Sequence, residues 1–264
     1  MKNSKKINYF DLGTYQGETI SMFLQLIDRI NENKDEKIDV RVYGIEANTL
    51  YSSYCQRRFA NDKRVSIFHF AISDKHGYVP LYFSKNSVGD SIFKPPRASI
   101  EDATKNKDVT ILGFLSEYYD LTIKSLLLKG YIPMENYKTL LDFSEEVKLR
   151  RICDPTEYEI VPSDLFSNWV AKELLDFETS INIMKINIEG AEYVLFKDLE
   201  EANILKHFDI FCGKGEDVYK KTELSNIFEE HTTRLKNNKI EIHRFSDWKP
   251  ERNANLKKMI EGLS

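Results

Sequence analysis

The sequence lacks the features that mark several classes of protein. Its 264 residues include only three cysteines, Cys55, Cys153 and Cys212, too far apart for a zinc-binding spacing or a disulfide framework. No stretch approaches the ~18 apolar residues that a membrane span needs. The apolar run after the basic residues 1–6 stops at Asp11, which is not typical of a signal peptide. These absences predict a protein of a reduced, cytoplasmic compartment.

An excess of positive charge is also missing. Lys and Arg together number 38 against 42 Asp and Glu, which gives a net charge of −4. The polar interval 95–151 is balanced as well. Nucleic acids and anionic membranes attract proteins through basic surfaces, so neither is an expected partner. A small molecule is the expected partner, and the sequence does not indicate an oligomeric state.

What the sequence does contain is an alternation of strand and helix patterns. The predicted strands are Ile7–Phe10, Asp39–Ile45, Val65–Ile72, Ile181–Ile188, Phe208–Cys212 and Ile240–Phe245. The predicted helices are Thr19–Ile30 with Thr19 as its cap, Thr49–Phe59, Tyr193–Leu199, Leu224–Leu235 and Leu256–Ile260. Such an order is typical of an α/β fold with a mostly parallel sheet and crossover helices.

The middle of the chain interrupts this alternation. An antiparallel-looking element, Tyr78–Phe83, is followed by Pro95-Pro96 and by helical patterns near 109–128 and 137–151. The alternation resumes beyond residue 156. We therefore expect a single domain, 1–264, that carries a helical insertion at about 84–156.

A short glycine-containing stretch, Asp11-Leu-Gly-Thr-Tyr-Gln-Gly17, follows the first strand. A dinucleotide fingerprint would need glycine at Tyr15, and a P-loop would need Lys where Glu18 stands. An acid followed by G-x-x-x-G instead suits a cofactor that carries an ammonium and a sulfonium. In this interpretation the glycines let the backbone approach the cofactor, and Asp11 supplies negative charge.

Glu46 closes the second predicted strand. In doubly wound folds an acid at this place accepts hydrogen bonds from the ribose of a nucleoside cofactor. A carboxylate has two oxygens and ribose has two neighbouring hydroxyls, so the match is bidentate. Because both features follow consecutive strands, they predict one nucleoside site.

Four stretches resemble the S-adenosylmethionine-dependent methyltransferases of the FkbM family. They are Asp11–Gly17, Tyr43–Asn48, Ala71–Gly77 and Lys185–Glu192, of which the last is the most specific, with the family form K-I-D-x-E-G-A-E. The resemblance covers about 7–83 and 157–212. It implies a Rossmann-like class I methyltransferase fold with seven strands, and O-methylation, often of sugars, surface polysaccharides or secondary metabolites.

The resemblance also implies which residues hold S-adenosyl-L-methionine. They are Asp11, Gly13, Thr14, Tyr15, Gln16, Gly17, Thr19, Glu46, Ala47, Asn48, Ala71, Ile72 and Asn187. The family usually has Asp where this chain has Asn187. Asparagine cannot act as a general base, but it can still position the cofactor or the acceptor.

A hydroxyl acceptor must lose a proton, so a base is needed near the transferred methyl group. The nearby candidates are Glu189 and Glu192, although Glu192 also suits the first turn of a helix, where an acid is favourable. The next candidates are His76, His207 and His243. His69, between two phenylalanines, is interpreted as a core or sheet-face residue.

Acceptor contacts are expected from the insertion and from the loop after the fifth strand. The candidates are Lys148, Arg150, Arg151, Lys214 and Glu216. The three basic residues would grip a phosphate on the acceptor, or they would only complement a helix dipole and face water. Two other functions stay open, a catalytically inactive scaffold, which Asn187 favours, and methylation of a non-sugar small molecule.

Overall fold

The computed structural model describes residues 6–32, 36–82, 90–93, 158–173, 175, 177–213, 225–243 and 250–263. The strands are β1 (Lys6–Leu12), β2 (Asp39–Glu46), β3 (Val65–His69), β4 (Ala71–Ile72), β5 (Gly77–Tyr82), β6 (Tyr158–Asp164), β7 (Ile181–Ile186), β8 (Ile210–Gly213) and β9 (Ile242–His243). The helices are α1 (Glu18–Glu32), α2 (Thr49–Arg58), α3 (Phe166–Glu173), α4 (Glu192–Glu201), α5 (Ser225–Asn237) and α6 (Pro250–Leu263), with a short 3-10 helix at Leu205–His207.

Six of these strands form one parallel sheet in the order β3-β2-β1-β7-β8-β9. The chain moves outward from β1 to β3 and then returns to place β7 on the other side of β1. This reversal between β1 and β7 is a topological switch point, where open α/β sheets bind ligands beyond the carboxyl ends of the strands. The predicted Rossmann-like α/β class with a mostly parallel sheet is confirmed.

The number of strands differs from the seven that the family resemblance implied. Within the described residues the main sheet has six strands, and its last, β9, covers only Ile242–His243 and runs parallel to β8. The predicted strand Ile240–Phe245 is thus present but shorter. The terminal helix is longer than predicted because it begins at Pro250, and proline is well suited to the first helical position.

Residue contacts divide the chain into two compact units. One consists of Met1–Val79 and Val161–Ser264, and the other is Pro80–Ile160. The second unit covers the interval interpreted as an insertion, and within it Tyr82 forms an antiparallel bridge with Ser91. The helices predicted near 109–128 and 137–151 lie outside the described residues, so the helical insertion stays a prediction.

A second, three-stranded sheet in the order β4-β6-β5 was not predicted. The predicted strand Val65–Ile72 is divided at Phe70: β3 pairs with β2, whereas β4 pairs with β6. The apolar pattern runs through Phe70 without a break, so it gives no sign of the change of partner. The strand β6 contains Pro162, which cannot donate to a ladder and which weakens a strand prediction.

Successive side chains of β1 pack on opposite faces of the sheet. The ring of Tyr9 stacks on Phe23 of α1, with centroids 3.9 Å apart. The ring of Phe10 contacts Phe166 and Trp169 of α3 at 5.8 and 6.2 Å. Successive side chains of a strand point to opposite faces, so β1 is covered by helices on both sides. Its carboxyl end is consequently held rigidly at the switch point.

Candidate functional site

The loops that follow β1, β2 and β7 are joined by hydrogen bonds at the carboxyl edge of the sheet. The amide of Gly13 donates to the Ile45 carbonyl at 2.9 Å, and the amide of Asn187 donates to the Leu12 carbonyl at 3.0 Å. Each loop is therefore fixed to the end of a neighbouring strand. We call these loops, residues 13–17, 47–48 and 187–191, the carboxyl-edge site.

Glu46 links two of the loops. Its side chain is nearly buried, with 8% of the residue exposed. Oε2 accepts a hydrogen bond from the Tyr15 amide at 2.7 Å, and Oε1 accepts one from the Asn48 amide at 2.8 Å. Both carboxylate oxygens thus accept from backbone amides of the loops at this edge. Glu46 thus lies beside the glycine loop, as its place in the sequence predicts.

The two glycines of the loop make room for protein rather than for a ligand. Gly13 has φ +75°, and a Cβ there would lie 1.9 Å from the Asn187 carbonyl oxygen. Gly17 has φ +78°, and a Cβ there would lie 2.5 Å from the ring of Phe59. We expected these glycines to let the backbone approach a cofactor. Both contacts are instead with neighbouring segments of the chain, so the glycines are needed for packing.

Asp11 does not offer its charge to a ligand. It is fully buried, its Oδ1 accepts a hydrogen bond from Nζ of Lys185 at 2.7 Å, and its Oδ2 accepts one from the hydroxyl of Thr19. The negative charge is balanced inside the protein, so its predicted contact with a cationic cofactor is corrected to an internal ion pair. Thr19 is likewise not the cap of α1, because that helix begins at Glu18 and the hydroxyl points to Asp11.

Two other predicted cofactor residues have local structural roles. The hydroxyl of Thr14, a buried residue, donates to the Asp11 carbonyl at 3.0 Å. The side chain of Asn48 caps α2, since its Oδ1 accepts from the amides of Leu50 and Tyr51. Capping explains this asparagine without a ligand, because Asn is a preferred residue before the first turn of a helix.

Three more predicted cofactor residues, Gln16, Ala71 and Ile72, are buried. Ile72 belongs to the apolar core that also contains Phe10 and Trp169. Ala71 and Ile72 form β4, whose partner is β6 rather than the main sheet. The side chains of Ala71 and Ile72 therefore pack inside the protein.

The remaining predicted residues stay partly accessible. Gly13, Tyr15, Thr19, Ala47, Asn187 and Glu189 all have intermediate exposure. Tyr15 and Glu189 have positive φ values, +53° and +50°, in the loops after the adjacent strands β1 and β7. Such conformations cost non-glycine residues on the order of 1–3 kcal/mol and are concentrated at functional sites. The site therefore contains two partly accessible residues with a strained backbone. The ring of Tyr15 also packs against that of Tyr51, with centroids 4.5 Å apart.

Glu192 has a structural role and leaves the list of candidate bases. It is buried, and its two oxygens accept hydrogen bonds from the amides of Ile188 at 3.1 Å and Gly190 at 2.8 Å. The carboxylate thereby satisfies backbone donors at the start of α4, which is the alternative considered from the sequence. Glu189 and Asn187 remain as accessible polar residues of this loop.

The histidines are distributed differently from the sequence prediction. His207 precedes β8, at the amino edge of the sheet, and its Nδ1 lies 3.3 Å from Oε1 of Glu178. His76 is 71% exposed, with Nδ1 3.2 Å from Oδ1 of Asp164. His243 forms the end of β9. Of these three, His207 is on the wrong edge to act at the carboxyl-edge site.

His69, interpreted from the sequence as a core or sheet-face residue, is the last residue of β3 and lies beside Glu46. The two residues are paired across β2 and β3, and Nε2 of His69 is 3.0 Å from the Ala47 carbonyl oxygen. The imidazole is half-buried. Its position as the last residue of a strand is the signal that would have placed it here, because ligand-binding groups of such sheets follow strand ends.

The predicted acceptor residues, Lys148, Arg150, Arg151, Lys214 and Glu216, lie outside the described residues. Their roles stay predictions. Among the described residues, no helix is both long and apolar enough to cross a bilayer, and no group of three potential metal-ligating side chains comes together.

No protein-family model matches this chain, and no curated protein or solved structure is significantly similar to it. The resemblance to the FkbM family therefore consists of the four short stretches alone. Function has to be argued from the carboxyl-edge site.

Proposed function

We propose that this protein is an S-adenosylmethionine-dependent O-methyltransferase of a small acceptor, namely a sugar or sugar phosphate of a surface polysaccharide or secondary metabolite. The observation that carries the proposal is the Glu46 carboxylate, which ends β2 beside a rigid glycine loop at the switch point of the sheet. A nearly buried acid at this place suits a ribose diol. Three of the FkbM-like stretches, Asp11–Gly17, Tyr43–Asn48 and Lys185–Glu192, contain the ends of the neighbouring strands β1, β2 and β7.

The residues present fit such a cofactor in part. Glu46 would hold the ribose hydroxyls, and the partly accessible backbone of Gly13 and Ala47 would border the nucleoside. When bound, S-adenosylmethionine supplies an activated methyl group, so that much of the rate comes from orientation. Asp11 would contribute indirectly, through its bonds to Lys185 and Thr19.

Glu189 is the better candidate for accepting the proton of an acceptor hydroxyl. It is partly accessible and belongs to the loop after β7, whereas Glu192 is buried. Asn187 would position the acceptor or the cofactor. A Glu189→Gln variant should therefore lose turnover and keep its cofactor affinity, and normal turnover would move the base to His69 or His76.

Calorimetry with S-adenosylhomocysteine, the product of methyl transfer, tests the cofactor site. Glu46→Ala should weaken binding by roughly 10- to 150-fold, the effect of losing charge-assisted hydrogen bonds worth about 1.5–3 kcal/mol. Asn48→Ala is the matched control, because it removes the α2 cap and leaves the ribose acceptor in place. Equal affinities for wild type and Glu46→Ala would contradict the assignment.

A dinucleotide is the second candidate ligand. When the six strands of the main sheet are numbered along the chain, their order in the sheet is 3-2-1-4-5-6, which is the order found in dinucleotide-binding folds. The side chain of Tyr15, at the place of the middle glycine, disfavours close approach of a pyrophosphate. Tight binding of NAD⁺ with no binding of S-adenosylhomocysteine would favour this candidate over ours.

An inactive scaffold would bind the cofactor or nothing and would not turn over. Asn187→Asp, which restores the family residue, separates the two classes: activity that appears only in this variant would identify the natural chain as a scaffold. For location we propose the cytoplasm. Among the described residues Cys55 and Cys212 are free thiols and buried, which suits a reducing compartment.

A further inference from the structure

A buried ammonium group ties the glycine loop to the sheet. Lys185 lies directly opposite Asp11 on the neighbouring parallel strand, and only 7% of the lysine is exposed. Its Nζ donates to Oδ1 of Asp11 at 2.7 Å and to the carbonyl oxygen of Gly13 at 2.7 Å. The same cation thus contacts both a balancing charge and the backbone of the loop.

We propose that Lys185 is a positioning residue of the carboxyl-edge site, which it serves by fixing the loop 13–17. That this loop borders a nucleoside rests on the function proposed above. Lys185 does not touch the ligand in this proposal. It acts through the Gly13 carbonyl, and Asp11 holds its ammonium group in place.

The contacts of the loop show how the effect reaches the site. With its carbonyl held by Lys185, Gly13 donates its amide to the Ile45 carbonyl at 2.9 Å. Two residues later the Tyr15 amide donates to Oε2 of Glu46 at 2.7 Å. The position of Gly13 therefore determines whether Tyr15 can reach the carboxylate that is proposed to bind ribose.

The far end of the loop is tied to the same ion pair. Asp11 accepts a hydrogen bond from the hydroxyl of Thr19, in the first turn of α1. One end of the loop is held by the lysine and the other by the aspartate. This double attachment explains why a charged pair is kept at a position where an apolar pair would also pack.

A purely structural role predicts something different. Replacing both members of a buried ion pair by neutral residues is often neutral or stabilising, whereas removing one member is strongly destabilising. If the pair served stability alone, a double neutral variant would regain the wild-type behaviour in every respect. If Lys185 positions the loop, the double variant regains stability but not the order of the loop.

The experiment compares Lys185→Met, Asp11→Asn and the double variant with wild type. Thermal unfolding measures stability, hydrogen exchange of residues 12–19 measures the loop, and calorimetry with S-adenosylhomocysteine measures the site. Lys185→Met should lower Tm, and the double variant should recover most of that loss. In the double variant the loop amides should still exchange about 10-fold faster and the ligand should bind about 10-fold more weakly, as expected for one lost charge-assisted hydrogen bond.

Two further variants keep the test decisive. Asn8→Ala removes a buried bond to Asn182 at 2.9 Å between the same two strands, so it should lower Tm without faster exchange of the loop. Thr19→Val releases the far end of the loop without exposing a buried charge, so it should speed exchange even if the ion-pair variants do not fold.

Wild-type exchange in the double variant, or in Thr19→Val when the others fail to fold, would overturn the proposal. Faster exchange with no binding of S-adenosylhomocysteine by the wild type would instead uphold the role of Lys185 and contradict the proposed function.

Discussion

The two ends of the strand pair β1 and β7 carry different kinds of buried polar groups. At the amino edge, the neutral side chains of Asn8 and Asn182 bond to each other, and Nδ2 of Asn182 also donates to the carbonyls of Phe177, Ser180 and His207. At the carboxyl edge, β1 and β7 carry the charged pair of Asp11 and Lys185. A neutral network closes one end of the sheet, and a charged one supports an accessible loop at the other.

Positive φ values at non-glycine residues occur at both edges. Tyr15 and Glu189 lie in the loops after β1 and β7, whereas Asn203 and Lys239 lie just after helices α4 and α5. The comparison therefore depends on the buried polar groups themselves: they predict a role in stability at the amino edge and ligand binding at the carboxyl edge, and separate variants test the two roles.

The largest effect is expected for Gly13→Ala. A Cβ at this residue would lie 1.9 Å from the Asn187 carbonyl oxygen, so the loops after β1 and β7 must separate. We expect a loss of about 4 kcal/mol in the free energy of unfolding, together with loss of cofactor binding. Urea unfolding and calorimetry measure the two quantities.

Gly77→Ala is the control for this glycine. Gly77 also has a positive φ, +134°, but a Cβ there would meet nothing within 4 Å. It should therefore cost about 1–3 kcal/mol, because only the backbone conformation opposes the substitution. Equal costs for the two alanine variants would show that the approach of the two loops is not important.

Asn182→Leu should give the next largest loss of stability. The variant removes the hydrogen bonds that Asn182 donates to three backbone carbonyls and the one that it accepts from Asn8, and each such bond contributes about 0.5–1.5 kcal/mol. We expect a total of about 3 kcal/mol after relaxation, measured by urea unfolding. Affinity for S-adenosylhomocysteine should be unchanged in the folded protein. A loss of affinity together with the loss of stability would contradict the separate roles of the two edges.

His231, in helix α5 and outside both edges, should make the stability of the fold depend on pH. His231 packs against Phe196 of α4, and burial, aided by Arg234, lowers the pKa of its imidazole from 6.5 to about 4. The folded state holds it neutral while the unfolded state takes up a proton. Stability should therefore be intact above pH 6.5 and fall by roughly 3 kcal/mol as the pH drops from 6.5 to 4.

Chemical unfolding at several pH values measures this loss. His231→Leu should flatten the curve between pH 6.5 and 4, because it removes the imidazole that titrates there. An equally steep curve in His231→Leu would assign the acid sensitivity to other groups.

Local features of the site were predictable and distant ones were not. Glu46 and the glycine loop each follow a strand, so a short window of sequence indicates their place. Asp11 was misinterpreted because its partner, Lys185, lies 174 residues away in the chain. The Asn8–Asn182 pair has the same separation and was missed for the same reason. Only the pairing of β1 with β7 brings these residues together.

Two other site predictions were wrong because the sequence offered both a functional and a structural reason for the same residue. Asn48 and Glu192 fall within stretches that resemble the FkbM family, and both also suit helix starts. The structure uses them at the starts of α2 and α4. The second sheet was missed because β4 has only two residues, too few for a periodic pattern.

Titration of ¹⁵N-labelled protein with S-adenosylhomocysteine, followed by NMR, tests residue by residue whether a nucleoside cofactor binds at the carboxyl edge of β1, β2 and β7. We expect saturable shifts for the amides of Tyr15, Ala47 and Glu189, whereas the amides of Asn182 and His207 at the amino edge should not shift. Shifts confined to the amino edge, or no shifts at all, would contradict this expectation.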